Sequence, residues 1–293
     1  MTSLRWAGVT LAIMGATVAL WLAWPEPAEP APSQARSLPS IQGEILYRDA
    51  SEIARKGSGR VVILRIDGPV EFVPYHFSDL SEHGPMPAVA WARELNAPVV
   101  FNAGQFDENL NHLGWLKRDS QWLVPYRHGA WMGLLLSGPI GGGAWARVAD
   151  LEDADADVHE RYRHTIQSMM LVDHKGKLRV RESDKTACRT VVAEDERGRI
   201  LILITEGAVT LADFARWLTR EDLGIVRAMN LDGGIESQLA VATPELTVTY
   251  SGKFGTGTTL WTATPDELQY PLPAVVAVRP VPRVPKAETS MRP

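Results

Sequence analysis

The sequence predicts an α+β fold, a single domain with mixed or antiparallel sheets and few helices, preceded by an N-terminal transmembrane anchor. Three observations carry this expectation. Short β-branched runs recur along the chain between Gly, Pro and Asp turn signals. Only two segments have a clear helical period. One long apolar stretch stands apart at the N-terminus.

Composition narrows the classes further. The chain has 293 residues, 45% of them hydrophobic and 22% charged, the balance of a folded protein rather than a disordered one. A net charge of -5 with no run of Lys and Arg excludes a nucleic-acid backbone as partner, because phosphate neutralisation needs a basic face. The single cysteine, Cys188, rules out an intrachain disulfide and reads as a small buried hydrophobe.

In chain order, the first element lies between Arg5 and Glu26, where every residue is apolar or small. A helix rising about 1.5 Å per residue needs about 20 residues to cross the hydrocarbon, and this stretch has that length. Trp21 and Trp24 suit the interface, and Arg5 on the near side directs the rest of the chain outward. A cleaved signal peptide is the rival reading, with an apolar region of about 7 to 15 residues. Residues 1–24 are therefore a signal anchor or signal peptide. Residues 25–40 form a Pro-rich extended linker, 41–278 the domain, and 279–293 a disordered tail. The expected location is extracytoplasmic, periplasmic or cell-surface, with the domain tethered to the membrane by its N-terminal segment.

Within the domain, three hairpins are expected. Val61–Asp67 and Val70–Tyr75 flank Gly68-Pro69, Ile166–Val172 and Leu178–Val180 flank an HKGK turn, and Thr190–Ala193 and Ile200–Thr205 flank ERGR. Helices are expected at Pro87–Asn96 and from Thr210. There Thr210 caps, Asp213 occupies the third helical position, and Leu211, Phe214, Ala215 and Leu218 share a face. Gly224 closes that helix. An apolar strand, Val226–Leu231, then breaks at Asp232-Gly233-Gly234, which projects the acid from a sheet end among backbone amides.

Three segments combine polar residues with tight backbone: VVFNAGQFD with Asn102, Gly104 and Asp107; ACRTVVA with Arg189 and Thr190; and AMNLDGGIESQ with Asn230, Asp232, Gly233, Gly234, Glu236 and Ser237. Each has an ordinary alternative, since Asn and Asp-Gly are turn formers and isolated charges are mostly solvated. Taken in this order, with HLGWLKRDSQWL, SMMLVDHKGKL, ACRTVVAEDERGRILILIT and the helix TLADFARWL, they resemble the phosphodiester glycosidase family over about Val61–Val278. That resemblance implies hydrolysis of the glycosidic bond of a sugar-1-phosphodiester. The chain departs from the family pattern at Ile235 and Glu236, which stand where relatives have a further Gly and Ser, and at Gln105.

The residue types suit this chemistry. An oxocarbenium-like transition state is stabilised by a carboxylate, which makes Asp232 the first catalytic candidate, with Glu206 and Glu236 in reserve. A phosphate leaving group benefits from the planar fork of an arginine, here Arg189. Asn102 and Asn230 are expected to hold sugar hydroxyls. Gly104, Gly233 and Gly234 permit close approach, while Asp107, Thr190 and Ser237 supply further polar contacts. Trp115 and Trp122 are candidates for stacking on a sugar.

Other motifs fail on spacing. Asp153, Asp155 and Asp157 lack the Gly and Glu of a calcium loop, Gly141-Gly142-Gly143 lacks the Gly-Lys ending of a phosphate loop, and no HExxH or Gly-x-Ser-x-Gly is present. No cofactor is required by the sequence, and a divalent metal remains compatible with it. The expected partners are a carbohydrate phosphodiester and the membrane. The alternative to an enzyme is a non-catalytic envelope glycan-binding or polysaccharide-export accessory protein of the same fold.

Overall fold

In the computed structural model, which describes residues 35–80, 83–255 and 269–281, strict alternation of apolar side chains builds four layers. The strands are β1 (Arg36–Leu38), β2 (Gly43–Asp49), β3 (Arg60–Ile66), β4 (Val70–His76), β5 (Val99–Asn102), β6 (Leu116–Arg118), β7 (Gln121–Val124), β8 (Gly133–Pro139) and β9 (Ala146–Asp150). They continue with β10 (Tyr162–Val172), β11 (Thr186–Ala187), β12 (Thr190–Asp195), β13 (Ile200–Thr205), β14 (Val209–Thr210), β15 (Ile225–Asn230), β16 (Gln238–Ala242), β17 (Thr247–Ser251) and β18 (Ala274–Pro280). Helix α1 covers Ala88–Glu94 and α2 covers Leu211–Arg220.

One sheet of eleven strands runs β1-β2-β3-β13-β12-β15-β10-β6-β7, with β8 joined to β10 and β9 to β8. A second, five-stranded sheet runs β17-β16-β5-β18-β4. Because side chains alternate between faces, Val62, Leu64, Ile66, Ile200, Ile202 and Ile204 enter a core shared with Val99, Phe101, Val276 and Val278 of the second sheet. Their neighbours Val61, Ile63, Leu201 and Leu203 turn the other way and pack under Phe214, Trp217 and Leu218 of α2. On the outer side of the second sheet, Trp91 and Ala92 of α1 cover Val100, Val275 and Ala277. Strand β13 is apolar at both faces for this reason. The order of layers is α1, second sheet, first sheet, α2.

The pairings among the described residues are antiparallel, which decides the expectation of mixed or antiparallel sheets. The β12–β13 hairpin forms as expected. The pair flanking Gly68-Pro69 does not form, and the pair flanking HKGK forms in shortened shape. Both edges of β3 are taken, by β2 and β13, so Gly68-Pro69 carries the chain across to the second sheet, where β4 pairs with β18. After β10, Leu178 makes only an isolated bridge to Val172, because Asp173 Oδ1 accepts from Lys175 and Lys177 and folds the HKGK segment onto itself.

Helix α2 is capped by Thr210, whose hydroxyl accepts the Asp213 amide at 3.0 Å. It ends at Arg220, earlier than expected. Glu221 is already extended, and Gly224, at φ 64°, instead turns the chain into β15.

Two boundaries also shift. Residues expected in the linker form β1, whose Leu38 is fully buried, so the domain begins by Arg36. Strand β18 continues to Pro280, two residues into the expected tail. The expected anchor at 1–24, the remaining linker and residues 282–293 lie outside the described residues. No helix among the described residues is long and apolar enough to cross a membrane.

Candidate active site

The last residue of β5, the first residues of β12 and β16, and the turn that follows β15 meet at the side chain of Asn102. This buried amide makes four hydrogen bonds. Its Nδ2 donates to the carbonyls of Ala103 (3.3 Å) and Asp232 (3.0 Å), and its Oδ1 accepts the Thr190 hydroxyl (2.8 Å) and the Gln238 amide (3.1 Å). An amide side chain offers two donors and two acceptors, so Asn102 has none left for a sugar. It ties the two sheets together instead, and Thr190 serves the same knot. Gln238, unremarked in the sequence, extends it by donating to the Tyr270 carbonyl at 2.7 Å and accepting the Ala88 amide at 2.9 Å.

What the knot positions is Asp232. Its amide donates to the Ala103 carbonyl at 3.3 Å, and its Oδ1 accepts the Gly233 amide at 2.9 Å. Burial, and next the negative charge of Glu236, push its carboxyl up to about 8, against the weaker pull of the Gly233 amide and Arg189. Burial raises Glu236 as well. Burial therefore holds both acids toward their neutral forms, and the charge of Glu236 adds to this at Asp232.

Arg189 supplies the cation. It is 8% exposed, and burial lowers its guanidinium to about 10, still fully charged at neutral pH. Nε donates to the Val209 carbonyl at 3.3 Å and Nη2 to the Lys185 carbonyl at 3.1 Å. Nη1 has no hydrogen-bond partner among the described residues, and no carboxylate pairs with Arg189 there. A Cβ on Gly233 would lie 3.4 Å from this Nη1 and 2.7 Å from the Cys188 carbonyl oxygen, so only glycine lets the Asp232 turn approach. Gly234, at φ 84°, donates its amide to the same carbonyl at 2.8 Å. The two glycine amides are thus used within the fold, and the role of these glycines is steric.

The other sequence candidates separate from this group. Asp107 is consumed by its own loop, where its Oδ1 accepts the amides of Asn109 (2.8 Å) and Asn111 (3.0 Å). Hydrogen bonding from Asn111 holds it below the usual carboxylate range. Glu206 pairs with Arg60 and with the Ser58 hydroxyl. Ser237 Oγ and Asn230 Oδ1 are closed off from solvent, each without a hydrogen-bond partner among the described residues. Gly104 is required by His112, whose Cε1 would stand 2.7 Å from a Cβ there. Cys188 is fully buried, as expected, and burial raises its thiol.

Sequence reasoning missed Tyr270. Burial raises its hydroxyl first, and the charges of Glu236 and Asp232 raise it further, which sets it at the edge of the acid pair. Nothing in QYPLP signals this. Among the described residues no group of three His, Cys, Asp or Glu side chains converges as a metal site.

A buried arginine thus stands close enough to Asp232 for the two charges to interact, and Glu236 acts on Asp232 from its other side in the sequence. Residues 139–279, which include Arg189, Asp232 and Glu236, match the family model described as phosphodiester glycosidase. No curated protein sequence matches the chain. The catalytic domain of zebrafish N-acetylglucosamine-1-phosphodiester alpha-N-acetylglucosaminidase, auto-inhibited by its pro-peptide, shares the fold. It has a TM-score of 0.56 and 17% identity over 84% of this chain and 87% of that one. Two further solved structures are similar at a TM-score of 0.49: a hypothetical protein from Synechocystis (16% identity, 80% of this chain, 61% of that one) and a putative exported protein from Burkholderia pseudomallei (12% identity, 78% and 76%).

Proposed function

We propose that the protein hydrolyses the glycosidic bond of a sugar-1-phosphodiester, releasing the sugar and leaving a phosphomonoester. The observation that carries this reading is Arg189, a buried guanidinium whose Nη1 has no partner among the described residues, beside the Asp232–Glu236 pair. A buried unpaired cation is costly, and a phosphate diester anion is the ligand that removes the cost.

In this reading Arg189 binds the phosphate and neutralises the second charge that develops on it as the bond between the anomeric carbon and the bridging oxygen breaks. Asp232, protonated at neutral pH, hands its proton to that oxygen, which leaves with the bonding electron pair. Glu236 takes a proton from the attacking water, whose oxygen bonds to the anomeric carbon. The difference in environment separates the two acids into donor and acceptor. Glu236 thereby takes the role that its departure from the family pattern had put in question.

The apolar stretch after Arg5 supports an extracytoplasmic domain tethered to the membrane, acting on an envelope glycan or exported metabolite. Protease accessibility of the domain in intact spheroplasts tests the location. For the activity, purified full chain is incubated with a panel of sugar-1-phosphodiesters, and free sugar and phosphomonoester are assayed together. Equimolar release supports the reading. A folded protein silent across the panel favours the glycan-binding alternative, which the same fold and Arg189 would also serve.

A further inference from the structure

The β6–β7 hairpin carries aromatic and cationic side chains that the proposed reaction does not use. The rings of Trp115 and Trp122 lie 5.5 Å apart, and His159 packs 4.5 Å from the first and 5.6 Å from the second. Lys117 Nζ stands 5.4 Å over Trp122, and the Arg127 guanidinium 5.6 Å over Trp115. Trp122 stays 38% exposed and the nearby Tyr126 63%.

The two cations differ in exposure, Arg127 being open to solvent and Lys117 closed to it. Lys117 is almost fully buried, and its Nζ donates to the His159 carbonyl. Neither Lys117 nor Arg127 forms an ion pair with a carboxylate among the described residues, and Glu160 acts on Lys117 only at longer range. Arg127 is thus the cation of this cluster that an anion from solvent can reach. The exposed indole, meanwhile, offers the apolar, electron-rich face that suits the C–H side of a pyranose.

Short contacts also connect the cluster with the candidate active site. Gln167 Oε1 accepts the Trp115 amide at 3.0 Å, and the Gln167 carbonyl lies 3.5 Å from where a Cβ on Gly104 would sit. The residue before it, Ala103, accepts the Asp232 amide.

We propose that this face binds an anionic polysaccharide, with a sugar ring stacked on Trp122 and a carboxylate or phosphate substituent held by Arg127. Delivery of such a polymer to the candidate active site rests on the glycosidase reading, whereas the binding itself does not.

Affinity electrophoresis of the full chain through polygalacturonate, dextran or inorganic polyphosphate tests it, with Trp122→Ala, Trp122→Phe and Arg127→Gln alongside. The wild type is expected to be retarded by polygalacturonate and not by dextran. Trp122→Ala should weaken that retardation at least tenfold, Arg127→Gln several-fold with a flatter salt dependence, and Trp122→Phe, which keeps a ring, little. Turnover of a small sugar phosphodiester should be unchanged in all three. A wild type that ignores polygalacturonate, or a folded Trp122→Ala that binds it as well as wild type, overturns the proposal. So does equal, Trp122-independent retardation by polyphosphate, which would reduce the face to charge alone. A protein that binds through Trp122 yet cleaves no phosphodiester upholds this site while rejecting the glycosidase.

Discussion

Arg189 carries its full charge inside the domain while its Nε and Nη2 are occupied by backbone carbonyls. That geometry fixes the orientation of the guanidinium plane, and a lysine could keep the charge but not the fork. Arg189→Lys is expected to lower kcat/KM on a sugar phosphodiester by about 100-fold, roughly 2.7 kcal/mol, mostly through KM if phosphate binding dominates, with the circular dichroism spectrum unchanged. Asp232 yields a sharper test. If its carboxyl, near 8 in the free protein, is the proton donor, kcat/KM falls about tenfold per pH unit above that value. A rate that instead rises through pH 8 would make Asp232 the base or nucleophile. Arg189 and Asp232 were legible in the sequence through the order of the Arg-Thr and Asp-Gly-Gly segments. Asn102 was legible as important and misread in role, since saturation of its amide depends on Thr190 and Gln238, 88 and 136 residues away in the chain.

At the scale of elements, three strand ends are held by one side chain. Removing it in Asn102→Ala strands the Thr190 hydroxyl and the Gln238 amide in a dry core, and each such loss costs about 1–3 kcal/mol. The expected destabilisation is about 3–5 kcal/mol in urea unfolding. A loss under 1 kcal/mol would show that Asn102 is not the knot. The helix cap is smaller: Thr210→Ala should cost about 1 kcal/mol. The cap and the β12–β13 hairpin were readable because they are local, settled by residues a few positions apart. The fate of β4 was not. Gly68-Pro69 reads as a tight turn, and only the occupancy of both edges of β3 by β2 and β13 sends the chain to the other sheet. Strand β1 was hidden for a similar reason, since a prolyl context concealed an apolar residue, Leu38, that the core needs.

For the whole molecule, the raised carboxyl is a stability statement. The folded Asp232 binds a proton that the unfolded chain releases above about pH 4, so stability contributed at acid pH is lost as pH rises through 8. Asp232→Asn removes that dependence. It should melt a few degrees above the wild type at pH 9 and level with it at pH 4, the mark of a site that trades stability for chemistry. An equal melting temperature at both values would mean that Asp232 is solvated. The four-layer arrangement was foreshadowed by the apolar runs, Ile200–Thr205 above all, but their division between two cores emerges only when both helices are in place.

The most direct test of the account is hydrolysis of a sugar-1-phosphodiester in water enriched in heavy oxygen, with the phosphomonoester product weighed by mass spectrometry. Attack at the anomeric carbon, with Arg189 on the leaving phosphate, predicts a phosphomonoester free of label and a labelled sugar. Label in the phosphomonoester would show cleavage at phosphorus and contradict the glycosidase assignment.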